Sequence, residues 1–278
     1  MKPDIRNLEA KDLGALREML QTNEVINIVP IAHTSSRARH YLSSPINDFI
    51  GLFTDGVLRC AILTGANLMP ISVVDEFVLP FAESLRGMGR RCSSIVGPAS
   101  QVLALWTALE PSWGPAREIR KSQPFLAMTS YPKIVIDEEV RYSTRMDLDA
   151  LFPACVDMFT KEVGVSPIQH GSAAYRSRVG ELISQRHSFV RTFGDEVVFK
   201  AEVGVVSSKA AQIQGVWVNP KYRGQGIASS AMAAVVRHVI DDIAPVATLY
   251  VNDFNRPALA TYLRTGFVQI DTFATVLF

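Results

Sequence analysis

The run Gln214-Gly215-Val216-Trp217-Val218-Asn219-Pro220-Lys221-Tyr222-Arg223-Gly224-Gln225-Gly226-Ile227-Ala228 constrains this chain more than any other part of it. An apolar strand enters, and Asn219-Pro220 turns it. An Arg-Gly-x-Gly string then opens a helix over 227–240, marked by Ala231, Val235 and Val239 at a spacing of four. A helix N-terminus offers unpaired N–H groups and a partial positive charge. Gly224 and Gly226 let the backbone approach a phosphate with no Cβ in the way. Arg223 adds a planar positive fork. The pattern predicts an anion site suited to a diphosphate.

Three known loops have this chemistry, and spacing separates them. A P-loop needs G-x-x-x-x-G-K-[ST], which the sequence lacks. A dinucleotide fingerprint needs a third glycine, as G-x-G-x-x-G, and an acid about 20 residues on. Here Ser229 follows Gly226 at the third site, and residues 243–246 read Ile-Ala-Pro-Val, so that fingerprint is incomplete. The third form is the loop that cradles the pyrophosphate of coenzyme A, and Arg223-Gly224-Gln225-Gly226-Ile227-Ala228 fits it. A second Arg-Gly-x-Gly, Arg86-Gly87-Met88-Gly89, follows a helix and precedes a strand. It opens no helix, and Gly87 reads as a helix stop.

Elsewhere the patterning alternates between helix and strand. Helices are expected over 9–21, 73–85, 101–109, 148–161, 171–184 and 256–264. Strands are expected over 49–53, 57–63, 93–97, 188–193, 196–206, 211–218 and 248–251, with extended chain over 267–278. The prolines between 111 and 124 predict a loop. In the helix after Asn255, Leu259 and Leu263 are expected to face the core, with Tyr262 at the border. One segment repeats: Phe49-Ile50-Gly51-Leu52-Phe53-Thr54-Asp55-Gly56-Val57 recurs 140 residues on as Phe189-Val190-Arg191-Thr192-Phe193-Gly194-Asp195-Glu196-Val197. Both copies fall on the first hairpin of their half; either two hairpins of similar register coincide, or the chain holds two copies of one fold.

Composition narrows the field further. A length of 278 residues suits about two domains. Hydrophobic residues at 48% and charged residues at 20% describe an ordinary globular chain. No apolar run approaches the roughly 18 residues of a membrane helix, and Met1–Gly14 has no apolar core. A cytoplasmic protein is expected. The formal charge of +1 gives no global attraction for nucleic acid or an anionic membrane. Cys60, Cys92 and Cys155 are odd in number and unpaired in spacing, so they read as small buried hydrophobes. His33, His40, His170, His187 and His238 form no metal-ligand spacing, and no G-x-S-x-G nominates a serine nucleophile. No metal is expected.

Two further strings carry a resemblance. Val251-Asn252-Asp253-Phe254-Asn255-Arg256-Pro257-Ala258 ends a strand in Asn and begins a helix, and Tyr262-Leu263-Arg264-Thr265-Gly266-Phe267 follows it. With the Arg223–Ala228 loop, these make residues 138–278 resemble the GNAT superfamily of N-acetyltransferases. Residues 1–137, with Gly65-Ala66-Asn67-Leu68-Met69-Pro70 and Trp113-Gly114-Pro115-Ala116-Arg117, resemble the uncharacterised N-terminal domain that some bacterial GNAT proteins carry. The resemblance implies an α+β, three-layer fold, with a mixed, mostly antiparallel sheet flanked by helices. Residues 1–137 would then be a degenerate GNAT-like domain with no CoA loop.

By the same resemblance, acetyl-CoA is the cosubstrate and a primary amine the acceptor, on a small molecule, peptide or protein. The amine attacks directly in a ternary complex. Val216, Trp217 and Val218 would pair with the pantetheine arm, and the N–H near Val216 or Trp217 would hold the oxyanion. Arg223, Gly224, Gln225, Gly226, Ile227 and Ala228 would hold the phosphates, with Asn252 and Asn255 nearby. Tyr262 corresponds to the acid for the leaving thiolate. Unperturbed values of about 10 for tyrosine and about 8.5 for a thiol put that proton transfer slightly uphill, so alignment must come from the fold. The strand before the loop offers Gln212 and Gln214 where many members place a glutamate, so Glu202 and Glu162 are the candidate bases. Without a strand carboxylate, a non-catalytic acyl-CoA sensor is the alternative. Monomer and homodimer both stay open.

Overall fold

A computed structural model describes residues 3–35 and 45–278; His40 lies outside the described residues. The chain divides into two compact units. The first holds Met1–Phe125, Tyr250–Phe254 and Gln269–Phe278; the second holds Leu126–Leu249 and Asn255–Val268.

Each half of the chain is built from the same series of elements. The first runs β1 (Asp4–Asn7), α1 (Leu13–Gln21), α2 (Ile28–Thr34), β2 (Phe49–Thr54), β3 (Val57–Leu63), β4 (Asn67–Ile71), α3 (Asp75–Met88), β5 (Ser94–Pro98), α4 (Ala99–Trp113) and β6 (Glu118–Met128). The second runs β7 (Arg141–Tyr142), α5 (Leu148–Val163), α6 (Ala173–Ser184), β8 (Ser188–Phe193), β9 (Glu196–Val206), β10 (Ala210–Val218), α7 (Ile227–Asp242), β11 (Val246–Tyr250), α8 (Arg256–Thr265) and β12 (Val268–Leu277). Strands lie side by side in the order β1-β2-β3-β4-β5-β12-β6 in the first unit, and β7-β8-β9-β10-β11 in the second. Antiparallel pairs dominate, while β4–β5 and β10–β11 are parallel. This is the expected α+β class. The chain's last strand completes the first unit: β12 runs antiparallel to β5, with Thr275 opposite Val96.

Both faces of the first sheet are covered, which explains why β2 is apolar at almost every position. Ile50, Leu52, Cys60 and Ile62 pack with Val78, Phe81 and Leu85 of α3 and with Val102, Leu105 and Leu109 of α4. Phe49, Phe53, Ala61 and Leu63 face the other way, onto Leu16 and Leu20 of α1. A sheet between two helix layers buries every side chain of its central strands. In the second unit Leu151, Ala154 and Cys155 of α5 and Val179 and Ile183 of α6 pack on Val190 and Val197. Helix α7, with Ala231, Val235 and Val239 fully buried, belongs to the same unit.

Most expected elements are present, with four corrections. The segment 111–124 is not a loop: α4 continues through Pro111 to Trp113, and β6 begins at Glu118. The apolar run Phe125-Leu126-Ala127-Met128 outweighs the prolines around it. Helix α3 runs through Gly87 and stops at Gly89, whose φ is +70°. Leu263 is exposed, while Tyr262 and Thr265 are buried, so the core face of α8 passes through Tyr262 itself. Strands β1 and β4 carry too few residues to announce themselves.

Candidate functional site

The site is built around a defect in β10. Opposite β9, Gln214 pairs with Glu202 and Trp217 with Lys200, so Gly215 and Val216 stand against Ala201 alone. This is a β-bulge, and Gly215 turns it with φ +59°. On its other side β10 pairs with β11 only over Ala210–Gln212. Beyond Gln212 the parallel register ends, and Gly215, Val216, Trp217 and Val218 are half-buried. Among the described residues, no strand pairs with the backbone donors and acceptors of this stretch on the β11 side.

The turn that follows is pinned from below. Asn219 Oδ1 accepts from Lys221 N at 3.1 Å, and its Nδ2 donates to Glu196 Oε1 at 3.0 Å. Lys221 Nζ and the Tyr222 hydroxyl also donate to Glu196, at 2.8 and 3.0 Å. These three donors, Lys221 first, hold the Glu196 carboxyl below its ordinary pKa. Arg223 Nε donates to Val218 O at 3.0 Å, which leaves the outer nitrogens of an exposed guanidinium clear of that bond. Gly224 and Gly226 adopt φ +74° and +80°, the left-handed region that favours glycine. A Cβ at either would meet nothing within 4 Å, so the backbone face is open. Gln225 and Ile227 lie between and after them, and Ala228 completes the first turn of α7. That turn has no acidic residue and no side-chain cap. Ser229 N donates to Gly226 O at 3.3 Å, which leaves the N–H groups of Ile227 and Ala228 for an anion.

Tyr262 lies in α8, buried, its ring edge-on to Phe267 at 6.2 Å. Burial first, and the charge of Glu162 second, push its phenol above the ordinary value. The phenol stays protonated throughout neutral pH. Glu162 sits exposed in the last turn of α5. Asn255 caps α8, its Oδ1 accepting from Ala258 N at 3.3 Å. Asn252 falls in the first unit, where Gln123 Nε2 donates to its Oδ1 at 2.8 Å and the Thr275 hydroxyl donates to Gln123 Oε1 at 2.6 Å.

Glu202 is held on both oxygens. Lys200 Nζ donates to Oε2 at 2.9 Å, and Gln214 Nε2 donates to Oε1 at 3.1 Å. Its Cδ lies 2.9 Å from the place a Cβ on Gly215 would take. The carboxylate therefore lies flush against the bulge. Trp217 is anchored by its indole N–H, which donates to Asp157 Oδ2 at 2.7 Å. Lys161 Nζ donates to the same oxygen at 2.7 Å. Sequence reading missed Lys200 and Asp157, and it named Gln214 only as standing where many members place a glutamate. A lysine inside the apolar run Val197-Val198-Phe199-Lys200-Ala201 was the available signal, since a buried charge needs a partner. Among the described residues no cluster of His, Cys, Asp and Glu could hold a metal ion, and no helix is long and apolar enough to cross a membrane.

Residues 163–267 match the acetyltransferase (GNAT) family, and residues 47–151 match a domain of unknown function, DUF4081. The chain thus carries a GNAT-family domain behind a DUF4081 domain. Its fold is similar to that of an acetyltransferase from the GNAT family from Colwellia psychrerythraea, at 13% identity and TM-score 0.59 over 99% of both chains. It is similar to a GCN5-related N-acetyltransferase from Sphaerobacter thermophilus, at 14% identity and TM-score 0.60, over 99% of this chain and 94% of that one. A tandem GNAT protein from the clavulanic acid biosynthesis pathway matches at 12% identity and TM-score 0.50, over 99% and 98%. No curated protein shows significant sequence similarity to the chain.

Proposed function

We propose that the chain is an N-acetyltransferase that moves the acetyl group of acetyl-CoA onto a primary amine by direct attack in a ternary complex. The GNAT family assignment supports acyl transfer in general, and acetyl-CoA is the cosubstrate of that family. One observation carries the finer reading. The bulge at Gly215–Val216 and the parting of β10 from β11 lie in the strand that runs directly into the Gly224–Gly226 turn and α7. An acyl-binding backbone and a diphosphate-binding helix end are thereby in series.

The phosphates would rest on the backbone of Arg223–Ala228, Gln225 included, with the Arg223 guanidinium beside them. Val216, Trp217 and Val218 would pair with the pantetheine arm. The N–H of Val216 or Trp217 would stabilise the negative oxygen that develops as the amine attacks. Glu202 or Glu162 would take the proton that the attacking amine must lose. The Tyr262 phenol would return a proton to the departing sulfur. Asn255, as the cap of α8, would fix the helix that carries Tyr262, and Asn252 would fix the end of β11.

We also propose that residues 1–137 are a degenerate GNAT-like domain that binds no CoA. The same element series supports this, and so does the loop. Residues 72–74 alone connect β4 to α3, against 219–226 between β10 and α7. The first turn of α3 carries Asp75 and Glu76, which repel a phosphate at a helix N-terminus. A cytoplasmic location and an acceptor drawn from small, peptide or protein amines complete the proposal.

The test is turnover. The full chain, given acetyl-CoA and a panel of primary amines, should release free thiol only when an amine is present. The amine should gain an acetyl group. If CoA stabilises the protein against heat but no amine accelerates thiol release, the chain is an acyl-CoA sensor.

A further inference from the structure

Lys200 is a charge in the wrong place for stability. It is 1% exposed, on the central strand β9, beneath α5 and α6. Burial opposes its charge most strongly, yet Glu202, Cys155 and Tyr175 together hold the ammonium above its ordinary pKa. Its described partners are Glu202 Oε2 at 2.9 Å and Cys155 Sγ at 3.4 Å. Replacing a buried ion pair with apolar residues of like volume is often neutral or stabilising. A pair kept in such a place calls for another account.

That account lies in what Glu202 touches. Its second oxygen accepts from Gln214, and its Cδ covers the open side of Gly215, where β10 bulges. Gly204 leaves the room that the Gln214 side chain fills. The groups packed around the pair are few. Cys155 comes from α5, and the Tyr175 hydroxyl of α6 donates to Cys155 O at 3.1 Å. Ser188 stands opposite Glu202 on β8, and Gln214 opposite it on β10. Glu162 acts on Tyr175 from the end of α5. Lys200 is the cation of this set. A free carboxylate at the bulge would choose among several rotamers, whereas this one has a single ammonium to point at.

We propose that Lys200 is a positioning residue: its ion pair locks the Glu202 carboxylate in one orientation against the Gly215–Val216 bulge, where the acceptor amine loses its proton. The inference rests on the reading of Glu202 as the base. Lys200 touches neither the acetyl group nor the amine in this account and acts only through Glu202.

Three variants of the full chain test it: Glu202→Gln, Lys200→Met and the double variant, each measured as kcat and KM. Without the ammonium the Glu202 side chain can leave the bulge, and a misplaced catalytic group costs about 10²-fold in kcat. KM for acetyl-CoA should be unchanged. Glu202→Gln should lower kcat by about 10²–10⁴-fold. Adding Lys200→Met to Glu202→Gln should lower it no further. A Lys200→Met enzyme with the wild-type kcat, or one whose loss adds in full to that of Glu202→Gln, overturns the inference while leaving Glu202 as the base. Glu202→Gln at wild-type rate removes the base and the inference with it. If Lys200→Met does not fold, Lys200→Gln keeps a donor, loses the charge and carries the same kcat and double-variant readout.

Discussion

Arg6 grips Asp12 with two parallel hydrogen bonds, 2.7 and 2.9 Å long, and the Asp12 carboxylate also accepts from Glu9 N at 2.8 Å. The second unit repeats the device. Arg141 holds Asp147 at 2.8 Å through both nitrogens, and Asp147 accepts from Thr144 N at 2.7 Å. In each unit the pair ties the first strand to the turn that starts the first helix. Two copies of so local a device, at the same place in the same series, argue that the units share one plan.

The paired carboxylates set the acid limit of the fold. The hydrogen bond from Arg6 chiefly, and that from Arg141 likewise, hold Asp12 and Asp147 at about 2, against an unfolded value of about 3.9. Folded values below unfolded ones mean the stabilisation is complete above about pH 4 and is lost as pH falls towards 2. Allowing for solvent at the half-exposed Arg141, the two together contribute on the order of 2 kcal/mol. Urea midpoints should fall between pH 5 and pH 2.5. An Arg6→Met, Arg141→Met variant should start lower at pH 5 and fall less. Parallel curves for the two proteins would assign the acid sensitivity elsewhere.

Gly215→Ala attacks the bulge. Its φ of +59° disfavours any side chain, and the new methyl would displace Glu202 and Met158. The Met158 end can give way, and backbone strain at Gly215 costs about 1–3 kcal/mol before any cost of displacing the paired Glu202. Denaturant unfolding should show that loss, and turnover should fall with it because Glu202 has moved. Full stability at the wild-type rate would mean the strand tolerates a straight path there.

Arg223→Ala tests the loop. Losing a charge-assisted bond to phosphate costs about 1.5–3 kcal/mol, so CoA affinity should drop about tenfold to a hundredfold. The bond from Nε to Val218 O is lost as well, but the Glu196 bonds still hold Asn219, Lys221 and Tyr222. The melting temperature should hardly change. An unchanged dissociation constant by calorimetry would remove Arg223 from the phosphate site.

How much of this was legible in the sequence depended on distance along the chain. The Asp55-Gly56 hairpin, the caps at Gly164 and Gly266 and the turn at Arg223–Gly226 are local, and glycine chemistry marks each one. Strand β6 was hidden because Pro115 and Pro124 signal loop more loudly than Phe125–Met128 signal strand. The partner of β12 was beyond reach, since pairing with β5 across the whole chain leaves no local trace. The Lys200–Glu202 pair was half visible: the residues alternate on one strand face, but only the packing of α5 shows that the face is buried. Tyr262 was placed at the border of the α8 core face, whereas it lies inside it, because Leu263 points outward in spite of its hydropathy.

The central claim, acyl transfer to an amine in the second unit, is tested most directly by the turnover number of Tyr262→Phe beside wild type. The substitution keeps the buried ring against Phe267 and removes only the hydroxyl. Wild-type protein should release thiol from acetyl-CoA in an amine-dependent way. The variant should do so about 10²–10⁴-fold more slowly, with CoA affinity and melting temperature almost unmoved. Equal turnover in the two proteins would contradict the assignment of Tyr262, and amine-independent or absent turnover in both would contradict the enzyme.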